Sequence, residues 1–247
     1  ILAYVSGVNE RKILRGTATA EEEKRIMIAI DLIEQFPDNF IIETIPDPSI
    51  ALIRTKLVKH ILNNNTHFIF YDYIFSSPGL LGEFRDLKIR EDVALMMLSN
   101  TLKEVAADYN VFIYSGTQVS RGWEKAQFRN ENFLAGAKAI GDKIDFGIIA
   151  VKLFPEDQEK IETLLLTEGI QEKPNIVFDV YKNRRGRITN AKIFRLFDYG
   201  TCRSKDLIMT DTNYNKWQMG LGRVDYQYEL QDLLEVAVNN SEVKKDE

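Results

Sequence analysis

The sequence has few cysteines and histidines, the residues on which disulfides and many metal sites depend. Its 247 residues include one cysteine, Cys202, and two histidines, His60 and His67. One thiol excludes an internal disulfide and a cysteine-based zinc site, and two histidines are too few for a histidine-based metal centre. No combination of serine, histidine and aspartate residues in the sequence indicates a hydrolytic triad. We therefore expect a reducing, intracellular environment.

Long apolar runs and a secretion signal are lacking as well. Apolar runs such as residues 146–151 are far shorter than the roughly 20 residues of a membrane-spanning helix. No basic amino-terminal stretch precedes an apolar core. Apolar residues make up 45% of the chain and charged residues 28%, which is typical of a globular protein. We expect a cytoplasmic protein without membrane attachment.

An excess of positive charge is absent overall but present locally. The net charge is −5, which does not by itself indicate a nucleic-acid-binding protein. Two stretches are nevertheless basic: residues 121–143 contain Arg121, Lys125, Arg129, Lys138 and Lys143, and residues 182–203 contain Lys182, Arg184, Arg185, Arg187, Lys192, Arg195 and Arg203. These stretches are compatible with a polyanion bound at one place. The alternative is that they form solvated helix faces and hairpin edges.

The order of apolar patterns predicts an α/β fold. Helical spacing indicates helices at residues 19–35, 90–109 and 155–167; the first has a capping-box pattern in Thr19 and Glu22, and Ser49 can cap a further helix. Strands are expected at residues 39–44, 66–71, 110–115, 145–151, 175–181 and 191–197. Alternating strands and helices favour a mostly parallel sheet with helices on both faces. We expect the run 66–71 to be buried on both faces.

The domain organisation follows from where the periodicity ends. Residues 1–212 form the predicted main domain. Residues 213–247 form a predicted extension with a helix at 227–238 and a disordered tail.

Two polar residues follow two of the predicted strands. Asp72 comes directly after residues 66–71, and Gln118 comes shortly after residues 110–115. Ligands of such sheets bind beyond the carboxyl ends of the strands, where an acid can hold Mg²⁺ of a nucleotide and an amide can sense a phosphate. Each residue alone is equally compatible with a polar group that faces water. Because one helix joins the two strands, we expect both residues at one crevice.

Two basic segments are candidates for phosphate and nucleic-acid contacts. Residues 182–187 form a predicted hairpin turn in which arginine side chains match phosphate oxygens, or else a basic turn in which Gly186 supplies a positive φ. Residues 121–132 mix cations with Trp123 and Phe128, which suits single-stranded nucleic acid, or else form an ordinary polar loop. Residues 136–143 superficially resemble a phosphate-binding loop, but Asp142 stands where a lysine is required.

Together these segments resemble the carboxyl-terminal domain of DnaB-type replicative helicases, particularly the phage-like branch, over about residues 1–210. The resemblance rests on the following residues: Val8-Asn9, Lys12-Ile13 and Gly16; Phe70-Tyr71-Asp72-Tyr73 as a Walker B sequence; Leu102-Lys103, Ala106, Asn110-Val111, Gln118 and Arg121; Gly136 to Asp145; and Lys182, Arg184 and Gly186 as a K-x-R-x-G segment.

The resemblance implies a RecA-like P-loop NTPase core that uses ATP and Mg²⁺. Asp72 would serve the metal, Gln118 would couple the nucleotide to DNA loops, and Lys182 and Arg184 would reach the ATP site of a neighbouring subunit. The implied assembly is a homohexamer on single-stranded DNA that moves 5′ to 3′ in a bacterial or phage-infected cytoplasm, with a helicase loader and a primase as partners. The DNA-contacting residues expected here are Arg121, Lys125, Arg129 and Lys138.

Two departures from the family pattern limit the expected activity. The sequence contains no G-x-x-x-x-G-K-[ST] loop and no strand that would supply the catalytic glutamate, and we expect both upstream of Ile1. The chain alone is therefore expected to be inactive. The alternatives are another RecA-like DNA-dependent ATPase of the recombinase type and a catalytically silent fragment for DNA binding or ring assembly.

Overall fold

A computed structural model describes residues 1–36, 40–87, 89–118, 138–186 and 188–217. Contacts divide the chain into two compact units. The first contains residues 1–41, 150–178 and 192–247, and the second contains residues 42–149 and 179–191. None of the helices in the described ranges has both the length and the apolar character needed to cross a membrane.

The helices described in the first unit are α1 (Leu2–Ser6), α2 (Glu10–Arg15), α3 (Ala20–Glu34) and α8 (Pro155–Thr167). Capping residues mark the end of α2 and the start of α3. Gly16 ends α2 in the left-handed conformation. Thr19 and Glu22 form the predicted capping box at the start of α3. The capping-box prediction is confirmed.

The second unit is built around one long helix. Its elements include α4 (Ile50–Asn64), β1 (Phe68–Tyr71), α5 (Pro78–Gly82), a 3-10 helix (Arg85–Leu87), α6 (Glu91–Asp108), β2 (Phe112–Ser115) and α7 (Lys138–Lys143). The apolar side of α6 is buried against α4, and Ile69, Tyr71 and Ile113 of the two strands pack on the same core. The face of β1 and β2 that carries Ile69, Tyr71 and Ile113 is therefore the one that turns towards α6.

The outward face of β1 and β2 differs from the prediction. The two strands pair in parallel, with Phe68 opposite Phe112 and Tyr71 opposite Ser115. Phe68 and Phe70 are each 70% exposed, so the expectation that this strand is buried on both faces is wrong for the described residues. The reason is that α4 and α6 lie on the inward face only.

The remaining strands form a second sheet of different pairing. It has the order β3 (Phe146–Lys152), β4 (Ile176–Asn183), β5 (Ala191–Asp198) and β6 (Arg203–Asp211). Backbone bonds from Leu153 to Asn175 and from Arg184 to Asp145, at opposite ends of β3 and β4, make this pair antiparallel. Parallel pairing among the described residues is therefore confined to β1 and β2, although the α/β class is as predicted.

Two strand predictions differ from the structure. Residues 40–44 form no strand, and Ile42 in this segment is 80% exposed. Conversely, β6 was not expected, and only Ile208 and Thr210 of this strand are buried. Both errors have one physical cause, since a strand depends on pairing with distant residues more than on its own pattern. The predicted helix at 227–238 lies outside the described residues.

Candidate active site

The parallel pairing of β1 and β2 brings their polar followers to one edge. Tyr71 and Ser115 are opposite each other, and the Ser115 hydroxyl donates a 2.8 Å hydrogen bond to the Tyr71 carbonyl. Beyond the strands, the amide of Ile74 donates to the carbonyl of Gly116 at 2.8 Å. The segments that carry Asp72 and Gln118 therefore continue side by side. The prediction that these two strands are neighbours is confirmed.

Asp72 and Gln118 are exposed at this edge. Among the described residues neither side chain has a hydrogen bond or ion pair. Behind them the Thr117 hydroxyl donates to the carbonyl of Ile74 at 3.3 Å, and burial raises the pKa of Tyr71. The geometry thus presents a carboxylate and an amide at one edge of the strand pair, and their roles stay predictions.

The donor groups at this edge are compatible with a magnesium ion only if phosphate oxygens and water supply most of its ligands. In the described ranges no three histidine, cysteine, aspartate or glutamate side chains are close enough to hold a metal together. Mg²⁺ in nucleotide sites uses only one or two carboxylates and completes its coordination with water and phosphate oxygens. Asp72 would supply one such carboxylate if the ion is bound here. The sequence supplies no glycine-rich phosphate cradle to accompany it.

The predicted hairpin between β4 and β5 is present, since these strands are adjacent in the sheet. Its turn is closed by Asn183, whose Oδ1 accepts from the amide of Gly186 at 2.8 Å and whose Nδ2 donates to the Ile188 carbonyl at 3.1 Å. A Cβ atom at Gly186 would collide with Asn183 Nδ2. Gly186 is not among the positive-φ residues, so glycine is needed for close approach and the positive-φ explanation is wrong.

The two cations predicted to act on a neighbouring subunit contact their own chain. Lys182 Nζ donates to the carbonyl of Gly141, and Arg184 Nη2 donates to the carbonyl of Asp142. Both carbonyls belong to the last turn of α7, which carries the partial negative charge of the helix dipole. Whether Lys182 and Arg184 also reach another subunit stays a prediction.

Asp145, just before β3, was not predicted to take part in this region. Its Oδ1 accepts a 3.0 Å hydrogen bond from Lys103 Nζ and lies 3.6 Å from Arg184 Nη1. The hydrogen bond from Lys103, with the charges of Lys103, Arg184 and Arg185, holds the pKa of Asp145 below its ordinary value. The sequence signal was an acid directly before an apolar strand, but its partners are about 40 residues away in each direction.

Of the four predicted DNA-contacting residues, only the backbone of Lys138 lies within the described ranges. Arg121, Lys125 and Arg129 lie outside the described residues. Lys138 is the first residue of α7, and its side chain lies outside them as well. The segment 119–137 therefore runs from Gln118 at the sheet edge to the start of α7. Its role in DNA binding stays a prediction.

Comparison with known proteins decides the family. The model of the DnaB-like helicase C terminal domain matches residues 1–200. The chain belongs to this family. The DnaB-like chain is also 32% identical over 217 residues to the SPbeta prophage-derived uncharacterized protein YorI of Bacillus subtilis (strain 168). That alignment covers 85% of this chain and 42% of YorI, so the chain spans less than half the length of this relative.

Solved structures of helicases share the fold. A DnaB-like replicative helicase, studied with its interactions with primase, superposes with a TM-score of 0.62 at 16% identity, and the match covers 82% of this chain and 45% of that helicase. The solved ATPase domain of a second protein gives a TM-score of 0.59 at 16% identity, and this match covers 82% of this chain and 67% of that domain. The predicted RecA-like core and the resemblance to phage-like DnaB helicases are therefore confirmed.

Proposed function

We propose that this DnaB-like chain is the larger part of the motor domain of an ATP-dependent replicative helicase that moves 5′ to 3′ along single-stranded DNA as a hexameric ring. The observation that carries the proposal is the parallel β1–β2 pair, which places Asp72 and Gln118 at one edge in a chain of this family. ATP with Mg²⁺ is the proposed cofactor, and the ion would neutralise charge that develops on the phosphates.

Each predicted residue has a distinct task in this mechanism. The Asp72 carboxylate orients the metal, and the Gln118 amide passes the state of the nucleotide to residues 119–137, which begin immediately after it. Arg121, Lys125, Arg129 and Lys138 hold the DNA backbone by charge, so binding weakens as salt rises. Lys182 and Arg184 stabilise phosphate charge across a subunit boundary.

Partners follow from the same proposal. The DnaB-like replicative helicase with a similar fold interacts with a primase. We include a primase and a helicase loader among the proposed partners of this chain, and we place the protein in the cytoplasm of a bacterium or a phage-infected cell.

Unwinding of a forked DNA by the complete gene product tests the proposal. We expect strand separation with ATP and Mg²⁺ and none without ATP, and mixed rings of Arg184→Ala with a phosphate-loop variant should recover ATPase activity. Strand separation without ATP, or a product that binds the fork and never separates it, contradicts the proposal.

The second candidate function is a catalytically silent component for DNA binding or ring assembly. Such a component needs no G-x-x-x-x-G-K-[ST] sequence, and the 247 residues contain none. Nucleotide binding distinguishes the two functions. A silent component binds single-stranded DNA but retains no nucleotide, even in the complete gene product, whereas the proposed motor retains ATP.

A further inference from the structure

The last turn of α7 is held by side chains from the hairpin between β4 and β5. Lys182 donates to the carbonyl of Gly141 and Arg184 to the carbonyl of Asp142. Carbonyl groups at a helix end have no partner within the helix, and lysine or arginine side chains can donate to them and interact favourably with the helix dipole. The hairpin therefore caps α7 in the same chain.

Asp145 adds a carboxylate to this capping contact. It accepts from Lys103 of α6 at 3.0 Å, lies 3.6 Å from the Arg184 guanidinium, and accepts the backbone amide of Arg184 through its carbonyl at 2.9 Å. Three elements, α6, the turn after α7 and the hairpin, thus meet at one acid.

The charged groups in this contact are solvent-accessible. The side chains of Asp145 and Arg184 are 53% and 44% exposed, and that of Lys103 is 35% exposed. Ion pairs with this exposure are weak and are screened by salt. A phosphate group, which offers more negative charge and binds arginine through two oxygens, can therefore compete for Arg184.

The position of α7 gives the contact a consequence. Helix α7 follows residues 119–137, whose other end is Gln118 at the sheet edge. It also packs on α6, the helix that supports β1 and β2. A change in the capping of α7 therefore acts on the helix at the far end of that segment.

We infer that Asp145 is a positioning residue, and that with the carbonyls of Gly141 and Asp142 it forms an intrachain docking site that competes with phosphate for Lys182 and Arg184. Lys182 and Arg184 occupy this site when no phosphate is bound and leave it when they bind phosphate. The identity of that phosphate as ATP of a neighbouring subunit rests on the proposed function, but the competition itself does not. Phosphate binding at the hairpin thereby removes the capping contact from the last turn of α7.

Hydrogen exchange of the chain, with and without sodium tripolyphosphate, tests the inference without any need for ATP hydrolysis. We expect Asp145→Asn to speed exchange in residues 141–145 and to raise the affinity for tripolyphosphate by about two- to five-fold, the change to which an exposed ion pair corresponds. Asp145→Glu, which keeps the charge, should restore most of both properties. Adding tripolyphosphate to the wild-type chain should itself speed exchange in residues 141–145.

A matched control lies on α6. Asp108 is 57% exposed and pairs with Arg54 at 3.7 Å, so Asp108→Asn removes an equally exposed charge elsewhere in the same unit. It should change neither measurement. Tighter tripolyphosphate binding without faster exchange would mean that Asp145 merely repels anions, and it would overturn the inference.

The remaining outcomes are also decisive. Faster exchange with unchanged affinity would show that the capping contact does not compete with phosphate for Lys182 and Arg184, and this too overturns the inference. If Asp145→Asn does not fold, the wild-type chain still decides, because exchange in residues 141–145 that tripolyphosphate does not change contradicts competition. Failure of the unwinding test leaves these results unaffected, so the two proposals fail separately.

Discussion

Two aspartates of this chain, Asp72 after β1 and Asp157 in the first turn of α8, have opposite surroundings. Asp72 is exposed and has no hydrogen bond or ion pair among the described residues. Asp157 is 4% exposed and accepts hydrogen bonds from the Tyr214 hydroxyl and, at 3.4 Å, from Lys192. Both acids lie close to the end of a regular element, so position alone does not separate them.

The difference shows which acid serves the fold and which is available to a ligand. Lys192 is 12% exposed, and its ammonium also lies 4.8 Å from the centre of the Tyr214 ring. Such a group has exchanged water for protein partners, and the fold depends on keeping them. Asp72, in contrast, is exposed to solvent. Removing its charge should therefore affect chemistry and leave stability almost unchanged.

The largest expected effect is the loss of Asp157. Asp157→Ala takes the carboxylate away from a nearly buried lysine, and breaking a buried pair in this way costs about 3–5 kcal/mol. Urea unfolding of the chain measures this loss. As a control, Glu162→Gln removes a 55% exposed partner of Lys173 and should cost no more than about 1 kcal/mol. Equal losses in the two variants would contradict the contrast between buried and exposed acids.

Asp72→Asn should have the reverse profile. The free energy of unfolding should change by no more than about 0.5 kcal/mol, as for other exposed substitutions. ATP-dependent unwinding by the complete gene product should fall by about 100-fold or more, because the metal loses its carboxylate. Asp108→Asn, another exposed aspartate, controls for the lost charge and should unwind normally. Normal unwinding by Asp72→Asn would show that Asp72 does not hold the metal.

A smaller effect is expected at Tyr214. Tyr214→Phe removes the hydroxyl that donates to Asp157 and leaves the ring beside Lys192. Hydrogen bonds to charged groups contribute about 1.5–3 kcal/mol, so the unfolding free energy should fall by about 2 kcal/mol. The comparison is Tyr199→Phe, at a tyrosine that is 56% exposed. If the two tyrosines give the same small change, the hydroxyl of Tyr214 does not support Asp157.

The sequence was sufficient for features that depend on neighbouring residues. Thr19 and Ser49 are predictable as helix caps because a cap uses the amides two or three residues ahead. Asp72 and Gln118 stand out because each follows an apolar run, and one connecting helix implies that the runs are neighbours. The family pattern then implies roles for them, and these stay predictions.

Features that depend on distant residues were not predicted. Asp145 meets Lys103 and Arg184 only after α6, β3 and the hairpin have packed. Strand β1, which carries the exposed rings of Phe68 and Phe70, has the same kind of sequence as a strand that is buried on both faces. Only the placement of α4 and α6 distinguishes the two cases. Local patterns contain no information about which face a helix will cover.

Glu22 is an intermediate case between Asp72 and Asp157, and its contribution to stability should be present at neutral pH and disappear in acid. The ammonium of Lys12, at 2.6 Å, and the amide of Thr19 lower the pKa of Glu22 from 4.5 to about 2. Because the folded pKa lies below the unfolded one, this contribution to stability is complete above about pH 4.5 and is lost as the pH falls towards 2. Unfolding of the wild-type chain and Glu22→Gln, followed from neutral pH into acid, should therefore converge across this window. Glu23→Gln controls for the loss of an acid at the same helix end, and a wild-type advantage over Glu22→Gln that is constant at every pH would show that the paired carboxylate is not the source.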